Sequence, residues 1–346
     1  MRIRPILPIT LAVVTVAAAV TLTVQLRKHA PPEPARLLPA ADAFLYANFG
    51  WARKLSSTPF PRTLHDPEYE KFIEESGFDF ERDLDSVAFA MHYPAKGPGG
   101  GTGGAAVEPR FSEVLEGKFD GARLAAYLKR TAQSVENYNS IDIFTIQLYG
   151  RSLRVAILGV DTVAASNHDD PAVIRGMVDR SRRLASPFGG PAFLRRYYKR
   201  VQLASPIWAV ARVEPTAPQF NGWSAVFPKA TDLVVSASYN PLHLPLRAGA
   251  LHLQAEAWSG NDEDARAVTE RAGVLLAMFH SAETSVGSPN GDADIKALLD
   301  SLQVRQDETH SVLYAIVPIG VFRKLLESSS SLPEAAPAAM EPARSH

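Results

Sequence analysis

The stretch DSVAFAMHYP, residues 85–94, decides how the rest of the chain is interpreted. Its apolar residues alternate, and Val87, Phe89 and Met91 fall on one face, as in a β-strand that buries one side. A second ten-residue stretch, DLVVSASYNP at residues 232–241, also begins with Asp and ends with Pro. The two stretches predict that one strand pattern occurs twice in the chain.

The segments around the two stretches follow each other in the same order. A strand-like segment precedes each, AFLYANFG at residues 43–50 and PIWAVARVEP at residues 206–215. A strand that leads through an acidic N-cap into a helix follows each, at residues 111–131 and 250–272. We therefore expect two related halves, residues 40–204 and 205–327.

The remaining elements are predicted from alternation and from helix caps. Ten segments have the alternation and the β-branched and aromatic content of strands, at residues 44–49, 86–93, 111–119, 141–147, 153–158, 162–166, 207–213, 233–239, 250–258 and 312–317. Helices are predicted to begin at Asp120, Asp170–Pro171, Pro191, Asn261 or Asp262, and Asp292. Because these elements do not alternate as βαβ units, the sequence predicts an α+β fold with mainly antiparallel sheets covered by helices.

The composition is that of a globular protein and excludes several kinds of site. The chain has 346 residues, 46% hydrophobic, with 36 basic and 37 acidic residues and a formal net charge of −1. This balance gives no overall field that attracts nucleic acid, so no nucleic-acid partner is expected. The absence of cysteine excludes disulfides, thiolate metal sites and thiol nucleophiles.

The N-terminal segment predicts attachment to a membrane. Residues 6–26 carry no charge and are long enough for a helix that crosses the hydrocarbon core, with basic residues on both sides. We expect an uncleaved single-pass anchor over residues 1–28, a Pro-rich extended spacer at 29–39, and an extracytoplasmic domain, periplasmic where the source has two membranes. The alternative is a cleaved signal peptide, which the alanines at 17–19 would fit. Residues 328–346 are predicted to be disordered.

The glycine-rich stretch GPGGGTGG, residues 97–104, contains the spacing G-x-G-x-x-G of a dinucleotide-binding loop. That motif holds phosphate at the N-terminus of a helix that follows it directly. Here Pro109 and a predicted strand follow instead. We therefore interpret residues 95–109 as a disordered hairpin connection and expect no cofactor.

A short loop between a strand and a helix is the first candidate for chemistry. His168, Asp169 and Asp170 lie at a strand end, where side chains often converge on a ligand, and they offer an acid–base pair or metal ligands. Neighbouring residues rarely point at one ion, however, and Asp170 before Pro171 is an ordinary helix start. We expect helix capping here and no metal, and keep the three residues as the weak catalytic candidates.

A basic region is the second candidate. Residues 175–200 contain eight Arg or Lys against a single Asp. The helix PAFLRRYYKRV places its aromatic residues on one face and its cations on the other, as at a membrane interface. The alternative is an ordinary amphipathic helix with the aromatic face in the core. The predicted contacts with anionic lipid or glycan are Arg182, Arg183, Arg195, Arg196, Lys199 and Arg200.

These observations lead to three hypotheses for function. No Walker A, G-x-S-x-G or H-E-x-x-H signature occurs. We therefore expect a membrane-anchored extracytoplasmic protein that acts by non-catalytic binding or scaffolding. One alternative is a carrier or sensor of a lipid or other amphiphile, with the basic helix at the membrane-facing edge of its pocket. The other is a hydrolase or metal-dependent enzyme that uses the loop at 167–170.

Overall fold

A computed structural model defines the fold. It describes residues 30–50, 53, 67–93, 109–148, 150–182, 189–215, 217, 220, 222–239, 250–285, 293–318 and 320–321. Within these residues, twelve strands form one antiparallel sheet, accompanied by eight α-helices. The prediction of an α+β fold with antiparallel sheet is confirmed.

The strands are β1 Ala43–Asn48, β2 Leu84–His92, β3 Arg110–Gly117, β4 Ser134–Tyr138, β5 Ile141–Leu148, β6 Arg151–Ile157, β7 Thr162–Ser166, β8 Ile207–Val213, β9 Thr231–Tyr239, β10 Ala250–Trp258, β11 Gln303–Asp307 and β12 His310–Pro318. The helices are α1 Glu33–Leu37, α2 Pro67–Ser76, α3 Phe80–Asp83, α4 Gly121–Thr131, α5 Ala172–Ser181, α6 Ala192–Tyr198, α7 Asp262–Ser285 and α8 Ala293–Ser301. A short 3-10 helix occupies Trp223–Ala225.

The strands nearest the middle of the sheet follow the same order on both sides. β1 and β8 lie side by side there, with Tyr46 opposite Trp208. Outward from β1 the strands run β2, β3, β7, β6, and outward from β8 they run β9, β10, β12, β11; on the β1 side, β5 and β4 follow without a counterpart. One sheet therefore continues across the predicted boundary at residues 204 and 205.

One side of the sheet, which we call the packed face, carries the largest hydrophobic core. Helices α1, α5 and α6 cover it. The central strands point apolar residues into this core, including Phe44, Ala88, Val114, Val210 and Val234, all exposed by 1% or less. Burial of this kind contributes roughly 25 cal/mol per Å² of apolar surface, so this core is a main source of stability.

The structure differs from the extended spacer predicted at residues 29–39. Glu33–Leu37 is a short helix, and Ala35, Leu37 and Leu38 are exposed by 1% or less. The prolines that indicated extended chain stand at the N-cap, Pro32, and in the first helical turn, where a missing N–H removes no hydrogen bond. Residues 33–38 therefore belong to the folded domain.

Among the described residues, helices cover the opposite side of the sheet toward its two ends. Helix α4 packs Leu124 and Leu128 on β5, β6 and β7. Helix α7 packs on β10, β11 and β12, where Val268 joins a small core with Val213 and Phe227. Between these two regions, no described helix packs on this side of the central strands.

The ten predicted strands are confirmed, with bounds that shift by up to two residues. The strands β4 and β11 were missed. They are the two outermost strands of the sheet, and their sequences, SVENY and QVRQD, consist mostly of polar residues, so they lack the apolar alternation of the other strands. The hairpin prediction is also confirmed, because β2 and β3 are antiparallel neighbours. Helices α2 and α3 were missed as well.

Several predicted segments lie outside the described residues: the anchor at 6–26, most of the glycine-rich connection and the C-terminal tail. Among the residues that are described, no helix is both long and apolar enough to cross a membrane.

Candidate functional site

The central strands are apolar on both sides, but only the packed face is fully buried. On the other side, alternate residues of β1, β2, β3, β8 and β9 remain half-buried, and Leu45 is 43% exposed. We call this surface the apolar groove. It includes Leu45, Val87, Phe89, Phe111, Ile207 and Val235.

The strand register brings these side chains together. Leu45 lies opposite Phe89 on β2 and Ala209 on β8, and Ala209 lies opposite Val235 on β9. The rings of Phe89 and Phe111 stack with centroids 5.4 Å apart. The result is one continuous apolar surface across five strands, or roughly 20 Å from four strand spacings.

Helices and a loop bound the groove. Helix α4 lies over the strands beyond β3, and α7 lies over the strands beyond β9. At one end, Phe220 packs edge-to-face on Tyr93 with centroids 5.2 Å apart. The groove is thus bordered on several sides. It is a contiguous apolar patch, unlike the isolated exposed apolar residues that are normal on protein surfaces.

One carboxyl group interrupts the apolar side of β3. Glu113 lies between Phe111 and Leu115 along the strand, opposite Phe89 and Ala165 across it. Among the described residues Glu113 has no hydrogen-bond or ion-pair partner. Burial alone raises the pKa of this carboxyl above its ordinary value.

A second exposed apolar surface lies on the far part of α7. Val274, Leu275 and Met278 are 62%, 40% and 63% exposed, although the first turns of the same helix are packed. Arg271 donates to the Ser224 carbonyl at 3.3 Å, which places this part of α7 beside the exposed Trp223.

The loop candidates His168, Asp169 and Asp170 make local contacts. The Asp170 carboxylate accepts from the Ala172 N–H at 2.8 Å, at the start of α5, and His168 Nδ1 accepts from the Asp170 N–H at 3.1 Å. Asp169 forms an ion pair with Arg110 at 3.0 Å. Among the described residues, no three His, Asp or Glu side chains are grouped to hold a metal. The catalytic assignment of this loop stays a prediction.

Sequence reasoning missed a neighbour of this loop, His92. Its ring lies 5.0 Å from that of His168, and its Nε2 is 3.2 Å from the Ser112 hydroxyl. Burial, and then the charge of His168, lowers the pKa of His92. The Ser112 hydroxyl is fully buried and bonded to Ser166 at 2.9 Å, so this cluster is a hydrogen-bonded part of the packed face.

The basic candidates lie on the packed side of the sheet. In α6, Leu194 and Tyr197 are buried in the core, whereas Arg195, Arg196 and Lys199 face outward. The Arg200 guanidinium lies 4.3 Å from the Trp258 ring, and Arg182 donates to the Asn139 carbonyl at 2.6 Å. Arg183 lies outside the described residues. The basic helix and the apolar groove are therefore on opposite sides of the sheet.

Two cavities lie at strand ends, one on each side of the β1–β8 pair. One, of about 630 Å³, lies where β1 and β3 end and β2 begins, and the Arg53–Asp85 ion pair of 2.5 Å lines it. The other, of about 410 Å³, lies at the corresponding ends of β8, β9 and β10 and contains Arg212–Asp232 at 3.1 Å. In both, the carboxylate is the residue that opens the repeated ten-residue stretch.

Comparison with known proteins gives a structural likeness only. No family model matches the chain, and no curated protein matches it by sequence. The structure is similar to crystal form III of TP0453 over 87% of this chain and 99% of that one, with a TM-score of 0.46 and 11% identity. It is also similar to crystal form I of TP0453 over 86% of this chain and 98% of that one, with a TM-score of 0.43 and 8% identity.

Proposed function

We propose that this protein binds an amphiphile whose hydrocarbon part lies in the apolar groove. The observation that carries the proposal is the asymmetry of the central strands. Phe44 and Ala88 are fully buried on the packed face, whereas Leu45 and Phe89 beside them remain accessible on the other side. A contiguous apolar surface that a fold leaves accessible is typical of a binding site.

The strand pairing favours hydrocarbon over an added β-strand. In β1, β2 and β8 both neighbours are already in place, so their backbone groups are bonded within the sheet. Recognition in the groove therefore depends on side chains, and most of these offer only dispersion and hydrophobic contact. A chain of methylene groups matches that surface, at about 0.8 kcal/mol for each one buried.

The predicted membrane anchor gives this binding a setting. A domain tethered at a bilayer by residues 6–26 would meet amphiphiles at high local concentration. We propose that this domain lies outside the cytoplasm and is held at the bilayer by a single-pass anchor. The basic helix α6, on the other side of the sheet, is then free to face anionic head groups of the bilayer.

We also propose that the two halves arose by duplication. The support is the matching strand order on both sides of the β1–β8 pair, together with the Arg–Asp pairs at corresponding strand ends. A joint between two copies explains why the groove lies at the centre, because each copy contributes its first strands to it.

The test is binding of an uncharged fluorescent amphiphile, N-phenylnaphthylamine, to the purified full chain. We expect saturable binding by the wild type and at least tenfold weaker binding by Leu45→Arg, since the substitution introduces a charge at the centre of the groove. The matched control is Leu203→Arg, because Leu203 is 57% exposed and lies outside the groove. Its affinity should stay within about twofold of the wild type. Equal affinities for the two variants, or no binding by the wild type, would contradict the proposal.

A further inference from the structure

The carboxyl group of Glu113 lies among apolar side chains. It shares one side of β3 with Phe111 and Leu115, and its cross-strand neighbours are Phe89 and Ala165. It lies where the open part of the groove meets the part covered by α4, since Ala165 belongs to the core under that helix. Both open groove and helix-covered core therefore border this side chain.

The described part of the chain provides Glu113 with neither a hydrogen-bond donor nor a nearby cation. A desolvated carboxylate without a partner is costly, and a neutral carboxyl loses the hydrogen bonds that it makes in water. Two other polar groups of this strand, the buried Ser112 and the half-buried Glu116, have partners: Ser112 bonds to Ser166 at 2.9 Å, and Glu116 accepts from the Ser86 hydroxyl at 2.7 Å. Glu113 thus differs from its polar neighbours in lacking a partner within the protein.

We infer that Glu113 recognises the polar head of the bound amphiphile and selects a head group that donates a hydrogen bond, an amine or a hydroxyl. This inference rests on the proposed function, because it assigns the missing partner of Glu113 to the ligand. Its geometry requires a donor close to the end of the hydrocarbon part, since Phe89 and Phe111 lie directly beside the carboxyl. Above the pKa of Glu113, an anionic head group would meet a like charge, and an ionised carboxylate has no proton to donate to it.

The test compares three ligands with the same dodecyl chain: dodecylamine, dodecanol and dodecanoate. Each displaces N-phenylnaphthylamine from the full chain below the concentration at which micelles form. We expect the wild type to bind the amine roughly tenfold to a hundredfold more tightly than the carboxylate, with the alcohol between them. In Glu113→Leu, the three affinities should fall within about threefold of one another.

Two further variants separate recognition from folding. Glu113→Gln keeps the size of the side chain and an acceptor oxygen, so it should retain binding of the alcohol and lose the preference for the amine. Glu116→Gln changes a carboxyl on the same strand that points to the packed face, and it should keep the wild-type order of affinities. Circular dichroism melting identifies any variant that does not fold, and Glu113→Gln decides the test if Glu113→Leu is such a variant.

The outcomes distinguish this inference from the proposed function. If the wild type binds all three ligands equally, or prefers dodecanoate, the role of Glu113 is wrong and the apolar groove stands. If no dodecyl ligand displaces the probe, both proposals are wrong. If Glu116→Gln removes the preference as fully as Glu113→Gln does, the selection does not come from the groove and the inference is overturned.

Discussion

Substitution of Trp208 tests whether the two halves are joined through the central pair of strands. Trp208 is 1% exposed in β8, stacks on Tyr46 of β1 with centroids 5.5 Å apart, and meets Tyr198 edge-to-face at 5.2 Å. Trp208→Ala removes these contacts and leaves a cavity beside the β1–β8 pair. Truncation of a fully buried aromatic side chain costs about 3–5 kcal/mol. Because Trp208 has aromatic neighbours on two sides, we expect about 4 kcal/mol.

Trp208→Phe provides the matched control. The Nε1–H of Trp208 has no acceptor among the described residues, so replacement by phenylalanine loses volume but no hydrogen bond. We expect a cost below about 2 kcal/mol, less than half that of the alanine variant.

The assay is urea unfolding of the full chain followed by far-UV circular dichroism, with thermal melting as a second measurement. A loss of about 4 kcal/mol lowers the melting temperature by about 6–8 °C in a domain of this size. Because β1 and β8 belong to one sheet, we expect one transition that shifts as a whole. A loss below about 1 kcal/mol, or two transitions of which only one moves, would refute the claim that the joint is a shared core.

Two further predictions concern single side chains. Because burial raises the folded-state pKa of Glu113 above its ordinary 4.5, the native protein holds this proton longer than the unfolded chain does, and stability falls as the pH rises from about 4.5. Glu113→Gln lacks this loss, so its unfolding free energy relative to the wild type should increase between pH 4 and pH 7; a constant difference in urea unfolding would contradict this. Asp120 caps α4 by accepting from the Arg123 N–H at 3.1 Å, so Asp120→Ala should cost about 1 kcal/mol and Asp120→Asn less, as measured by the same unfolding assay.

The sequence predicted the strands well because each carries its own alternation. Val87, Phe89 and Met91 were placed on one side of β2, and the register confirms that they share it. Whether that side is covered depends on where helices α4 and α7 lie, which alternation within one strand does not contain. For this reason the apolar groove was not predicted, although its residues were.

Other differences between the predicted and the observed structure also have physical causes. The pairing of β1 with β8 joins strands far apart in the chain, and nothing local encodes it. The prolines before α1 hid a helix that their positions tolerate. The candidate at Glu113 was missed although a signal was present: in FSEVLEG, the glutamate falls on the same face as Phe111 and Leu115. A charged residue within an apolar alternation indicates a candidate site, because a charged group that is buried there needs a partner.

The most direct test of the account is to locate a bound lipid in the protein. The full chain in membranes is supplied with a fatty amine that carries a photoactivatable group in its chain, then irradiated, digested and mapped by mass spectrometry. The account predicts adducts on peptides that contain Leu45, Phe89 and Val235, and a marked loss of labelling in Leu45→Arg. Labelling confined to α6 or to the exposed end of α7, with none on β1, β2 or β9, would contradict it.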